Sequence, residues 1–170
     1  MGDEGRAIVA MLVPIVAFAF VYFETRNKPP LHAARVSFGV LAIFGVMSFI
    51  GFARILSEDI SGVVMLPRFL PGALAIAAWV VVMREKLSRD GIMFATVAAA
   101  AGIALTVLGL MGSFILAPMI AEAGRQNGAG VLLVTSAVAS ALAYTAIGIK
   151  AIQSVRSLGR ADREVRRAPP

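Results

Sequence analysis

The residues best placed to bind a charged group lie around Arg68, between two prolines. Pro71 suits the first turn of a helix and disfavours helical geometry at the residue before it, so the sequence predicts a helix that begins near Pro71. The first turn of a helix presents free N–H groups and the positive end of the helix dipole. Arg68 adds a guanidinium group that keeps its charge. This pattern is typical of a site for a phosphate or a carboxylate.

We therefore expect Arg68 and Arg54 to contact an anion or a lipid. A simpler interpretation keeps Arg68 at a membrane surface, where it pairs with Glu58 or Asp59. An arginine at the centre of a bilayer costs about 2.5–3.5 kcal/mol on insertion scales, which favours the surface position.

The rest of the sequence lacks the groups that most enzymes and metalloproteins use. It has no cysteine, which excludes disulfides, thiolate nucleophiles and cysteine-bound metals. His32 is the only histidine, and a metal site or a haem would need further ligands. No serine–histidine–aspartate set, carboxylate pair or glycine-rich phosphate loop is recognisable. We expect a protein without catalytic residues, metal or cofactor.

The apolar residues are gathered into stretches long enough to form membrane-spanning helices. Hydrophobic residues make up 59% of the 170-residue chain, and its mean hydropathy is +0.85. A helix needs about 20 apolar residues to cross a ~30 Å hydrocarbon core. The sequence therefore predicts an all-α, polytopic transmembrane helical bundle that forms one domain over residues 1–155, followed by a basic cytoplasmic tail over 156–170. The five predicted spans cover about 7–23, 36–54, 68–84, 91–121 and 129–150.

The charged residues support this topology. The first loop, the third loop and the tail together hold twelve Lys and Arg, whereas the N-terminus and the other two loops hold four. Cytoplasmic loops carry the excess of basic residues, so we expect the N-terminus outside and the C-terminus inside. No charged residue interrupts the apolar stretches of spans one, two, four and five, which argues against a proton-driven carrier. The composition suits a bacterial inner membrane.

The fourth span is longer than a membrane needs and has small residues along one face. Small residues let helix backbones approach closely in lipid. This face serves either docking of a partner or a second copy, or packing within the bundle, and packing within the bundle is the interpretation we favour. The face consists of Ala98, Gly102, Thr106, Gly109, Ser113 and Ala117, and the fifth span offers Ala137, Ala141, Thr145 and Gly148.

The basic tail has helical spacing. Four of its five arginines recur at helical intervals: Arg156, Arg160, Arg163 and Arg167. If the fifth helix continues past Lys150, they form a stripe that anionic lipid would attract. The alternative is a tail that only sets the topology. Membrane tethering and the nearby Asp162 and Glu164 argue against nucleic acid as a partner.

These features predict a non-enzymatic structural or accessory subunit that packs against a larger membrane complex. Its expected partners are membrane lipids and other membrane subunits, or further copies of itself. The alternative is a small homo-oligomeric transporter or lipid-binding protein with its site near Arg68.

Overall fold

The computed structural model describes residues 3–55, 62–84, 87–122 and 129–167. Within these ranges the chain folds into helices joined by short turns. The helices are α1 (Asp3–Thr25), α2 (Pro30–Ile55), α3 (Gly62–Val82), α4 (Arg89–Glu122) and α5 (Ala129–Arg167).

Three of these helices contain segments that are long and apolar enough to cross a membrane. The segments are Pro30–Met47 in α2, Arg89–Ile115 in α4 and Val134–Arg160 in α5. The described parts of α1 and α3 add shorter apolar segments, Leu12–Thr25 and Phe69–Val82. An all-helical bundle suited to a membrane is thereby confirmed.

Helices α2, α3, α4 and α5 form a ring, and α1 lies outside it. Each of α2, α3, α4 and α5 packs against the next, and α5 returns to α2. Helix α1 packs against α2 and α5 and therefore occupies the groove between them. The largest fully buried hydrophobic side chains, which come from α1, α2, α3 and α5, are Val21, Phe38, Leu41, Val82, Ile147 and Val155.

The prediction that the third helix begins near Pro71 is wrong. Helix α3 begins at Gly62 and continues through Pro67 and Pro71 without a break. A proline inside a helix removes one backbone hydrogen bond. Pro71 and Gly72 are buried within the bundle, and ending the helix there would free several backbone groups where few partners are available. Continuation is therefore the less costly solution.

Helix α5 continues past Lys150, where the fifth predicted span ends, to Arg167. Residues 156–167 of the predicted basic tail therefore belong to this helix. Gly148 of α5 lies against Ile103 of α4, and Gly159 lies against Ile92. The separation between the two glycines equals that between the two isoleucines, so α4 and α5 run antiparallel in a regular register.

Candidate functional site

The two arginines expected to bind an anion lie on helices, with their side chains outside the described residues. Arg54 is in the last turn of α2, and Arg68 is in α3. Because α3 runs without a break from Gly62, the residues after Arg68 do not form the start of a helix. The free N–H groups expected beside Arg68 are therefore absent from this part of α3.

The small face of α4 lies inside the bundle, against α5. Ala98 and Ser113 are 2% and 1% exposed, Gly102 and Gly109 are also buried, and Thr106 and Ala117 lie at the edge. A Cβ atom on Gly102 would lie 2.8 Å from Oη of Tyr144. On the facing helix, a Cβ atom on Gly148 would lie 2.9 Å from Cδ1 of Ile103. This contact between α4 and α5 requires residues without large side chains.

A second close contact joins α2 to α3 at two glycines. A Cβ atom on Gly72 would lie 3.0 Å from the carbonyl carbon and 3.2 Å from Cα of Gly45. The two backbones therefore touch directly, which is possible only where both residues lack side chains. Sequence reasoning missed this contact, because small residues on one helix do not show which residues of another helix they meet.

Tyr144 ties α5 to α3 in the middle of the bundle. Its side chain is 3% exposed, and its hydroxyl donates a hydrogen bond of 2.7 Å to the carbonyl oxygen of Pro71. The same hydroxyl lies against Gly102 of α4. One tyrosine therefore contacts two other helices of the ring. Its signal in the sequence is a single aromatic hydroxyl within an otherwise small and apolar stretch.

Several hydroxyl groups of the helices bond to their own backbone. Thr25, Thr96 and Ser154 each donate to the carbonyl four residues earlier, as do Thr106 and Ser113 on the small face of α4. This local bond satisfies a hydroxyl without a partner on another helix. Ser37 differs, since its buried Oγ has no hydrogen-bond partner among the described residues.

Arg35 joins two helices at one end of the bundle. At this end α1 and α3 finish, and α2 and α4 begin. Its Nε donates to the carbonyl of Val82 at 3.1 Å, and its Nη2 donates to the carbonyl of Arg84 at 3.3 Å. Arg35 thus satisfies free carbonyls and adds positive charge at the negative end of α3. We call this the basic end, after its residues Arg26, Lys28, Arg35, Arg84 and Arg89.

Two further contacts organise the basic end. Ser88 caps α4, because its Oγ accepts a hydrogen bond of 3.1 Å from the backbone N–H of Gly91. Glu24 and His32 lie 3.1 Å apart across the turn between α1 and α2, and both are partly exposed at 40% and 44%. Exposed pairs of this kind contribute little to stability.

The tail arginines belong to α5. Arg156 and Arg160 are exposed, whereas the side chains of Arg163 and Arg167 lie outside the described residues. Because Gly159 lies against the first turn of α4, these arginines are at the basic end. They therefore add positive charge to the same surface as the loop residues.

Lys150 is the last residue of the fifth predicted span, which covers about 129–150. It lies in the middle of α5, about nine residues before Gly159, or ~14 Å along the helix at 1.5 Å per residue. Its side chain is partly buried. It forms no ion pair or side-chain hydrogen bond with any residue that the structure describes.

The outer surfaces of α1 and α4 are apolar and exposed. On α1, Phe20 and Phe23 are 54% and 70% exposed. On α4, Leu108 and Ile115 are 56% and 68% exposed. Contiguous exposed apolar surfaces on a protein mark contact with a membrane or with a partner.

Comparison with known proteins gives no relative from which a role could be transferred. No protein-family model matches the chain, and neither the curated proteins nor the solved structures contain a match. Across the described ranges, no three His, Cys, Asp or Glu side chains are grouped so that they could hold a metal ion.

Proposed function

We propose that this chain is a five-span membrane protein that serves as a non-enzymatic accessory subunit of a larger membrane complex. Its N-terminus lies outside, its C-terminus lies inside, and the membrane is the inner membrane of a bacterium. The observation that carries the proposal is the closed middle of the bundle, where Tyr144 contacts two helices of the ring and Gly45 touches Gly72.

A closed middle favours a packing role over transport. A transporter builds its site around helices that are interrupted near the middle of the membrane and around groups that line a cavity. Here α3 is continuous, the Tyr144 hydroxyl is bonded, and the α2 and α3 backbones are in contact. The side chains in the middle of the bundle therefore hold the helices together.

The helix lengths support five spans. The 23 residues of α1 and the 21 residues of α3 extend about 34 Å and 31 Å at 1.5 Å per residue. Both lengths match a hydrocarbon core of ~30 Å. The basic end supports the orientation, since Arg35, Arg84, Arg89 and Arg160 are together at one end, and cytoplasmic surfaces carry the excess of Lys and Arg.

The exposed apolar surfaces support an accessory role. Helix α1 contacts two neighbours, and large side chains such as Phe20 and Phe23 point away from the bundle. The small face of α4, by contrast, is already covered by α5. A partner subunit therefore docks on the outer faces, and substitution of Gly102 would disrupt the bundle instead of testing docking.

The proposal is tested by the native mass of the purified protein. The chain is tagged at its C-terminus and extracted in mild detergent, and the intact assembly is weighed and its proteins are identified. We expect co-purification with other membrane proteins at a fixed stoichiometry.

A monomer or a homo-oligomer alone would overturn the accessory role. It would favour the alternative, a small transporter or lipid-binding protein with its site near Arg68. In that case Arg68→Ala would abolish retention of a co-purified lipid or small molecule while the oligomeric state stayed the same.

A further inference from the structure

Lys150 lies deep inside the membrane when the bundle is placed as proposed. Gly159 packs against Ile92 in the first turn of α4, so this level of α5 corresponds to the basic end. Lys150 is about nine residues, or ~14 Å, farther from that end. The middle of a ~30 Å hydrocarbon core is ~15 Å from each surface. The α-carbon of Lys150 is therefore near the middle of the membrane.

The first bonds of the Lys150 side chain point away from the basic end. Side chains on a helix lean toward its N-terminus. The N-terminus of α5 points away from the basic end, so a side chain in this direction carries Nζ of Lys150 farther from the basic end. Arg156, by comparison, is only about three residues from Gly159, or ~5 Å, and reaches the surface.

Within the part of the chain that the structure describes, no acidic residue lies at the depth of Lys150. All ten acidic residues lie at helix ends, in connections, or beyond Gly159 in α5. They are Asp3, Glu4, Glu24, Glu58, Asp59, Glu85, Asp90, Glu122, Asp162 and Glu164. A second copy of the chain would bring the same set at the same depths. A carboxylate near the middle of the membrane must therefore come from a different molecule.

The side of α5 that carries Lys150 is open to such a molecule. Ile149 and Leu142 are 47% and 67% exposed, and Gln153, one turn after Ile149, is exposed as well. Charged residues within a membrane are costly and pair with one another. Lys150 and Gln153 together offer a cation and an amide beside an apolar helix face.

We propose that Lys150 is the docking point for a transmembrane helix of a partner protein, which carries an aspartate or glutamate near its middle. The inference rests on the proposed accessory role and names the chemistry of the partner. The Lys150 ammonium pairs with the partner's carboxylate, and the exposed face around Ile149 packs against the partner helix.

The test uses synthetic transmembrane peptides as probes. The full-length protein, labelled with a donor fluorophore, is reconstituted into phosphatidylcholine vesicles with acceptor-labelled leucine-rich helices of about 20 residues. One peptide has Asp at its middle, one has Asp near its end, and one has leucine throughout. We expect energy transfer to show about tenfold tighter association with the middle-Asp peptide than with the leucine peptide.

Two variants connect this preference to Lys150. Lys150→Met keeps the length of the side chain but removes the charge, and it should abolish the preference. Lys28→Met makes the same change in an exposed turn and should leave the preference intact. Circular dichroism and size-exclusion chromatography check that each variant folds. If Lys150→Met does not fold, the wild-type protein still provides the test, because binding must peak when Asp is at the middle of the peptide.

Several outcomes would overturn the proposal. Equal binding of all three peptides to the wild-type protein, or an unchanged preference in Lys150→Met, overturns the proposal. So does retention of a phospholipid or a fatty acid that depends on Lys150 in native mass spectrometry without any peptide preference, because the anion would then be a lipid. A native assembly whose other subunits have no acidic residue in their spans also rejects this inference while leaving the accessory role in place.

Discussion

At the scale of single residues, the bundle depends on positions where a side chain is missing. Gly45 and Gly72 let α2 and α3 touch, and Gly102 makes room for the Tyr144 hydroxyl. In lipid, helix association depends on such packing and on hydrogen bonds between helices. Substitutions at these residues should therefore have larger effects than changes on the apolar outer surface.

Gly72→Leu should destabilise the bundle by about 3 kcal/mol or more, because its side chain would meet backbone atoms that cannot move aside. Unfolding in a denaturing detergent, followed by circular dichroism, measures the change. Gly112→Leu is the matched control. A Cβ atom there meets nothing within 4 Å, so we expect a change of no more than about 0.5 kcal/mol. Similar losses for the two variants would contradict the α2–α3 contact.

Tyr144 and Gly102 should be energetically coupled. Tyr144→Phe removes the hydrogen bond to Pro71 and should cost about 1 kcal/mol. Gly102→Ala places a methyl group 2.8 Å from the hydroxyl position and should cost about 1–3 kcal/mol. The double variant should cost less than the sum of the two, because phenylalanine has no hydroxyl to displace. Additive costs in this double-mutant cycle would show that the two residues do not meet.

At the scale of helices, hydropathy predicted that helices form but not where each one begins and ends. The five apolar stretches correspond to α1–α5 because the length of an apolar run determines whether a helix can cross a membrane. Pro71 led to a wrong start for α3, because local proline preferences do not include the cost of freeing backbone groups inside a packed bundle.

Contacts between helices were less predictable than the helices themselves. The small face of α4 stood out because its residues recur along one helix, and the structure places it against α5. The Gly45–Gly72 contact and the Tyr144–Pro71 hydrogen bond each join residues that are far apart in the chain. A periodic pattern on one helix contains no information about such pairs.

Arg35 should stabilise the end of α3. In Arg35→Ala the last carbonyls of α3 lose both donors, and we expect a loss of about 1 kcal/mol with faster amide exchange in the last turn of α3. Hydrogen–deuterium exchange with peptide-level resolution measures this. Arg35→Lys keeps the charge without the fork of donors and should recover only part of the protection. As a control, Arg89→Ala removes an exposed arginine at the same end. If Arg89→Ala raised amide exchange in α3 as much as Arg35→Ala does, the stabilisation of the end of α3 by Arg35 would be contradicted.

At the scale of the whole molecule, the topology can be measured with single cysteines. The chain has no cysteine of its own, so each introduced thiol is unique. Lys28→Cys lies in the turn between α1 and α2, and Gly128→Cys lies in the connection between α4 and α5. With a membrane-impermeant maleimide on intact cells, we expect labelling of Gly128→Cys, and labelling of Lys28→Cys only after permeabilisation. Buried Ile147→Cys is the control that reacts after denaturation.

Equal labelling of both sites in intact cells would contradict an odd number of spans between them. Reversed labelling would contradict the orientation. Equal labelling would also change the depth assigned to Lys150, because that depth follows from the spans, whereas a reversed orientation would leave its distance from the basic end unchanged.

The central claim is that the chain docks another membrane protein, and photo-crosslinking in living cells tests it most directly. A photoreactive phenylalanine derivative at Ile149, which is 47% exposed beside Lys150, is compared with the same residue at fully buried Ile147. We predict that Ile149 crosslinks to one protein at a transmembrane helix with a central Asp or Glu, whereas Ile147 crosslinks only within the chain. Crosslinks from Ile149 to lipid alone, or only to a second copy of the chain, would contradict the account.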